Sequence, residues 1–133
     1  MQRILLAYDG AEPARKALAL AADLAKKFEA TITVISVVPI HPGRAPIDPW
    51  DDTEVHSAQL KEAAAALHEL GIEAELLEPS GAPGPVIEKI ASEGKYDVIV
   101  IGTRGMNAIG RVLQGSVSEH VATHSAATVV VAR

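Results

Sequence analysis

Tyr96-Asp97-Val98-Ile99-Val100-Ile101-Gly102-Thr103-Arg104-Gly105 carries more architectural information than any other stretch of the chain. Four consecutive β-branched residues run from Val98 to Ile101. Tyr96 to Ile101 is nearly all apolar, as a parallel strand covered on both faces is, whereas a strand with one wet face would alternate. The run opens directly into a segment with Gly102 and Gly105. Downstream, Leu113, Val117 and Val121 recur at spacing four and mark a helix, and Thr128 to Val131 is a further β-branched run, a fifth strand.

The same alternation continues toward the N-terminus. Ile4 to Ala7 is a short apolar run stopped by the turn residues Asp9-Gly10. Ala14, Ala17, Leu18, Ala21, Leu24, Ala25 and Phe28 then recur at spacings of three and four, the face of a first helix whose first turn suits Pro13. Thr31 to Val38 is a second strand, stopped at Pro39. Leu60, Ala63, Leu67 and Leu70 mark a second helix closed by Gly71. Ile72 to Leu77 is a third strand, and its acids Glu73 and Glu75 place it near a sheet edge. The cluster Pro79 to Pro85 reads as a loop, followed by a third helix that starts with Val86, Ile87, Ile90 and Ala91 and stops at Gly94. This order, β-α-β-α-β-α-β-α-β without an internal repeat, predicts an α/β fold: an open five-stranded parallel sheet, order 3-2-1-4-5, with helices on both faces, Rossmann-like.

At 133 residues the chain fits a single domain, 1–133. A composition 48% hydrophobic and 22% charged excludes a disordered or collagen-like chain. With no Cys, a disulfide scaffold, a thiol nucleophile and a thiolate zinc site are excluded. Twelve basic against seventeen acidic residues, and only one Trp, two Tyr and one Phe, argue against a nucleic-acid partner. No apolar run reaches the roughly 18 residues of a membrane span. Met1-Gln2-Arg3 leads straight into the first strand without a signal-peptide layout. A soluble, cytoplasmic protein is therefore expected. Pro39 to Asp52 holds four of the eight prolines and Trp50, and reads as a loop that either connects two elements or folds partly over a ligand.

Open parallel sheets bind ligands at the carboxyl ends of their strands, where strand order reverses. The residues there are Asp9-Gly10, Val37 to Ile40 and Gly102 to Gly105, joined by Gly115-Ser116-Val117-Ser118 at the start of the last helix. Glycines let backbone N–H groups approach a ligand, and a helix start offers unpaired N–H groups, which together form a cradle suited to phosphates. Ser116 and Ser118 add hydroxyls, and Arg104 either lends a charge or is a solvated loop residue.

The spacing Gly102-x2-Gly105-x9-Gly115-Ser116, the opening Leu5-Leu6-Ala7-Tyr8-Asp9-Gly10 and the ending Ala127-Thr128-Val129-Val130-Val131 resemble the universal stress proteins, specifically those members that carry an ATP-binding motif. The resemblance spans the chain except Pro39 to Asp52. It implies a sheet of the adenine nucleotide alpha hydrolase kind, ATP as the ligand and Mg2+ as its metal. By resemblance, Ala7 belongs to the binding set, and the backbone at Val37, or at Val38 with a shift of one, holds the adenine edge. Asp9 lies near the ribose or near a metal bridging the phosphates. Gly102, Arg104 and Gly105 line the ribose and phosphate path, and Gly115, Ser116 and Val117 bind phosphates. Ala11 departs from the pattern, where a Ser often follows the Asp-Gly pair. The resemblance also implies a homodimer through the edge strand Thr128 to Val131 and a nucleotide-dependent role in the stress response, exerted through an unnamed protein partner.

Rival chemistries lack their residues. There is no G-x-x-x-x-G-K-[ST], and Gly102-Thr103-Arg104-Gly105 is not G-x-G-x-x-G. A receiver domain would need a second acid beside Asp9, an Asp after the third strand and a Lys after the last, none of which is present. No general base presents itself, so no catalytic residue is assigned and ATP is expected to be turned over slowly at most; the alternative is a slow ATP hydrolase or phosphotransferase using Asp9 and a divalent metal. His120 and His124 have the spacing of a two-His metal clamp, but Glu119 is misplaced for it and no third ligand is evident, so they read as packed or partly exposed. His41, His56 and His68 read as loop or surface residues.

Overall fold

A computed structural model describes residues 2–38, 53–102 and 116–133. The chain order is β1 (Arg3–Ala7), α1 (Glu12–Phe28), β2 (Thr31–Ile35), α2 (Thr53–Glu69), β3 (Glu75–Leu77), α3 (Pro83–Glu93), β4 (Val98–Gly102), α4 (Ser116–His124) and β5 (Thr128–Ala132). Among the described residues the strands form one sheet in the order β3-β2-β1-β4-β5, every pair parallel. This is the expected α/β fold and strand order. Among the described residues no helix is long and apolar enough to cross a membrane.

The period of two along β1 divides the core. Ile4, Leu6 and Tyr8 join the cluster that includes α1 and α2, while Leu5 and Ala7 join the cluster that includes α3 and α4. Ile4, Leu5 and Leu6 are wholly buried, each stabilising the fold by roughly 1.5–3 kcal/mol. Ala14, Ala17, Ala21, Ala22 and Ala25 line the buried face of α1, and their small side chains let the helix lie close to the sheet. Pro13 sits in the first turn of α1, where its missing N–H costs nothing. Glu29 ends the helix in a left-handed conformation, its N–H bonded to the Ala25 carbonyl. Gly71, at φ +82°, closes α2 in the same left-handed region.

Element ends depart from expectation where local chemistry competes with pattern. Phe28, expected on the buried face, is the last residue of α1 and is 49% exposed, and Glu29 turns the chain into the left-handed region directly after it. Leu70 lies past the end of α2 and is exposed as well. α3 begins at Pro83 within the expected loop, since proline is tolerated in a first turn. β3 is only three residues long and largely exposed, as an edge strand with acids should be. β2 proper stops at Ile35, but its ladder continues through residues 36–38 by single bonds described below.

At the amino end of the sheet, the Asp97 carboxylate accepts N–H bonds from Gln2 and Arg3, each 2.8 Å. These two donors hold Asp97 below the usual carboxylate range. The Arg3 guanidinium lies over the Tyr96 ring, and the Tyr96 hydroxyl donates to Thr33 Oγ1 at 2.9 Å. These contacts pin the sheet at the end opposite the candidate site.

Candidate functional site at the carboxyl ends of the strands

Ala7 of β1 stands beside Ile35 of β2 and Ile101 of β4, so the three central strands end at one level. From β1 the chain passes to β2 and β3 on one side, and then crosses to β4 and β5 on the other. The crevice beyond Ala7 is therefore the point where strand order reverses.

Past Tyr8 the chain turns at once. Asp9 Oδ1 accepts the Ala11 N–H at 2.9 Å, and Gly10 sits at φ +79°. This side-chain-to-backbone turn delivers the chain into α1, whose N-cap residue Ala11 has no capping side chain of its own. Asp9 is thus fixed at the crevice by the Ala11 N–H that its carboxylate accepts.

At the end of β2 the backbone resolves the one-residue ambiguity between Val37 and Val38. The Val38 N–H donates to the Pro79 carbonyl at 2.8 Å, and the Val38 carbonyl accepts the Gly81 N–H at 3.0 Å. Both polar groups of Val38 are spent on the β3 side. Adjacent residues of a parallel strand point their backbone groups to opposite neighbours. Ile35 accordingly accepts the Tyr8 N–H on the β1 side, at 3.1 Å. Val37 shares the direction of Ile35, but β1 has turned away, and neither its N–H nor its carbonyl meets a partner among the described residues. One donor and one acceptor from a single residue thus face the crevice.

Gly102, the last residue of β4, is not in the positive-φ region, so its conformation does not require glycine. Space requires it instead: a Cβ there would lie 2.5 Å from the Pro13 carbonyl carbon and 2.7 Å from the Ala14 nitrogen. The glycine lets the first turn of α1 rest on the end of β4. Val117 packs against the cluster that contains Ala7, Val37 and Ile101, which brings the start of α4 to the same end. The structure therefore gathers Ala7, Asp9, Val37, Gly102 and Val117. Arg104, Gly105, Gly115, the Ser116 side chain and the whole Pro39 to Asp52 segment, with Trp50 and His41, lie outside the described residues.

Two polar groups beside this crevice had escaped the sequence reading. The Tyr8 hydroxyl donates to Glu62 Oε1 at 3.0 Å, and Arg15 donates to the same oxygen at 3.2 Å, linking β1, α1 and α2. Burial, and then the bond to Glu62, push the Tyr8 phenol above its ordinary value. The second group corrects the placement of His56 at the surface: it is 8% exposed, with Nδ1 2.7 Å from Ser36 Oγ. His56 is four residues before Leu60 and falls on the same stripe as Leu60, Ala63 and Leu67, the signal that identifies it as inward-facing. His68 is at the surface, bonded to Glu73.

His120 and His124 stack with ring centroids 4.2 Å apart; His120 Nε2 meets Glu88 Oε2 at 3.1 Å, and His124 Nδ1 donates to the His120 carbonyl. The His120–Glu88 contact joins α4 to α3. Among the described residues no three His, Cys, Asp or Glu side chains are grouped to hold a metal.

The model of the universal stress protein family matches residues 1–133. The chain belongs to the universal stress protein family. A putative universal stress protein of Staphylococcus saprophyticus is 32% identical over 146 residues, which cover 98% of this chain and 82% of the relative. Among solved structures, universal stress protein UspA from Lactobacillus plantarum superposes with TM-score 0.76 at 27% identity, covering 99% of this chain and 97% of the other. The universal stress protein from Archaeoglobus fulgidus in complex with dAMP matches with TM-score 0.75 at 23% identity, covering 100% and 98%. Further family structures of the same fold are a complex with cAMP and an Arabidopsis thaliana protein with AMP bound.

Proposed function

We propose that this universal stress protein binds an adenine nucleotide, ATP in the first instance, at the crevice between the carboxyl ends of β1, β2 and β4. On this reading the whole chain, 1–133, acts as one cytoplasmic regulatory unit of the stress response that signals nucleotide state to a protein partner. The observation that carries the reading is the Val37 backbone: an N–H and a carbonyl turned together into the switch-point crevice, while those of Val38 are both taken. Adenine presents a ring-nitrogen acceptor beside an amino donor, the complement of that pair. Guanine presents the reverse order. The family structures holding AMP, dAMP and cAMP support an adenine ligand.

Ala7 and Val37 would form the apolar floor under the base. Asp9 would stand beside the ribose or hold Mg2+, an ion that takes one or two carboxylates and completes its shell with phosphate oxygens and water. Gly102, Arg104 and Gly105 would line the path to the phosphates, with Gly115, Ser116 and Val117 receiving them at the start of α4.

The same reading pairs two copies through β5. The Thr128 N–H donates to the Asp97 carbonyl, so Thr128, Val130 and Ala132 turn their backbone groups toward β4. Val129 and Val131 turn theirs to the open edge, which a second copy would cover across a two-fold axis.

Isothermal titration with ATP, AMP and cAMP tests the nucleotide reading. Binding of at least one, abolished in Gly115→Val, is the expected result. A folded parent protein that takes up none of the three at millimolar concentration would overturn it. Gly102→Val does not serve this purpose, because its clash is with α1.

A further inference from the structure

A buried serine–histidine contact beside the adenine-facing backbone has no part in the reading above. Ser36 immediately precedes Val37, and its side chain leaves the opposite face of the strand, toward α2. There Ser36 Oγ is 2.7 Å from His56 Nδ1, and the two residues are 3% and 8% exposed. Gln59 Oε1 lies at the outer limit of bonding to the same hydroxyl, 3.5 Å away, and the Gln59 side chain also stands over Gly10. The Ser36 N–H donates to the Leu77 carbonyl at 3.0 Å. Ser36 is thus held on its backbone by the β3 side and on its side chain by α2, with Val38 held in turn by residues 79 and 81. Val37 is bracketed between two fixed residues while its own polar groups face the crevice.

A Ser–His pair at this distance also has the geometry of a nucleophile and its base. Both partners are buried, however, and the hydroxyl faces α2, away from Val37 and its cluster, so the arrangement is one of positioning. A hydrogen bond between two buried groups fixes direction more strictly than apolar packing does, and removing either group releases that constraint.

We infer that His56, acting through the Ser36 hydroxyl, is a positioning residue that fixes the direction of the Val37 N–H and carbonyl and so sets discrimination between adenine and guanine nucleotides. The inference rests on the nucleotide reading. Ser36 would do for the base end of the site what the Asp9–Ala11 bond does for the turn at the end of β1. Its consequence is selective: the base end of the ligand should feel the loss of His56, and the phosphate end should not.

The test measures affinities for ATP, GTP and inorganic tripolyphosphate, at a temperature where each variant is fully folded. The proteins are the parent, His56→Leu, Ser36→Ala, His56→Asn and the His56→Leu/Ser36→Ala double variant. Asn can return a polar atom to the position of Nδ1. The parent should prefer ATP. His56→Leu and Ser36→Ala should each lower the ATP-to-GTP affinity ratio about fivefold, the loss expected for one net hydrogen bond. Tripolyphosphate affinity should stay constant, His56→Asn should restore the ratio, and the double variant should lose no more than either single one. An unchanged ratio in both single variants overturns the inference, as does a parent that binds ATP and GTP alike. So does a loss spread equally over all three ligands, which would mark a purely structural contact. A parent that binds no adenine nucleotide fails earlier, at the nucleotide reading itself.

Discussion

Replacing Gly102 by alanine adds one methyl group where the first turn of α1 rests on the end of β4. That Cβ would stand 2.5 Å from the Pro13 carbonyl carbon, 2.6 Å from its oxygen and 2.7 Å from the Ala14 nitrogen. Non-bonded carbon atoms settle roughly 3.5–4.0 Å apart, so α1 and the end of β4 must separate by about 1 Å. Overpacking of this kind costs roughly 1–3 kcal/mol. All three opposing atoms are backbone, with no rotamer to move into, so the upper end, about 3 kcal/mol, is expected. With a urea slope of about 2 kcal/mol/M, the unfolding midpoint should fall by about 1.5 M at unchanged slope. Gly71→Ala is the matched control: φ is +82° and nothing lies within 4 Å of the added atom. Its cost is conformational alone, about 1–2 kcal/mol. A Gly102→Ala midpoint within about 0.3 M of the parent would refute the close contact and return the glycine to a role in ligand binding.

Asp97→Asn should alter the acid limb of stability. The folded carboxylate titrates below its unfolded value of about 3.9, so its stabilisation is present above that pH and is lost as pH falls through the folded pKa. The melting-temperature gap between parent and variant should be widest near neutrality and close on acidification; parallel curves would contradict this. Val129→Pro removes a backbone donor from the open edge of β5 and should turn a dimer into a folded monomer in sedimentation. Val130→Pro instead breaks the ladder to β4 and should lower stability; equal effects of the two prolines on assembly would count against the edge pairing. Tyr8→Phe removes the hydroxyl donor to Glu62 and should cost about 1 kcal/mol in denaturant unfolding, leaving the Arg15 contact in place.

The fold was legible because hydrophobic period changes sharply along this chain. Val98 to Ile101 is short and wholly β-branched, which favours a strand covered on both sides over a buried helix turn, and Ala14 to Ala25 repeats at helical spacing. Element ends were less legible. Proline at 83 reads equally as a loop breaker or as a first-turn residue, and only packing of α3 decides between them. Gly102 shows a deeper limit: sequence marks a glycine but does not separate open φ space from a close helix behind it. The choice between Val37 and Val38, and between Val129 and Val130, depends on which way a peptide unit faces, and that is set by register with Pro79, Gly81 and Asp97, far away in sequence. His56 is a different case. Its spacing from Leu60 marks the inward face of α2, but the imidazole's polarity points to the surface, and it is the Ser36 hydroxyl, just past the end of β2, that meets it inside.

The first turn of α1 touches two arms of the crevice. Asp9 reaches forward to the Ala11 N–H, and Pro13 and Ala14 lie directly against Gly102. The ends of β1 and β4 are consequently tied to one rigid piece rather than to two independent loops. On the proposed reading, a ligand there would meet atoms already tied together, which lowers the ordering cost of binding. The same tie gives the helix a second office. A displacement of its first turn along the axis would move the Asp9 turn and the exit of β4 together, and the exposed far end of α1, at Phe28, lies on the same rod, seventeen residues from Glu12 inclusive.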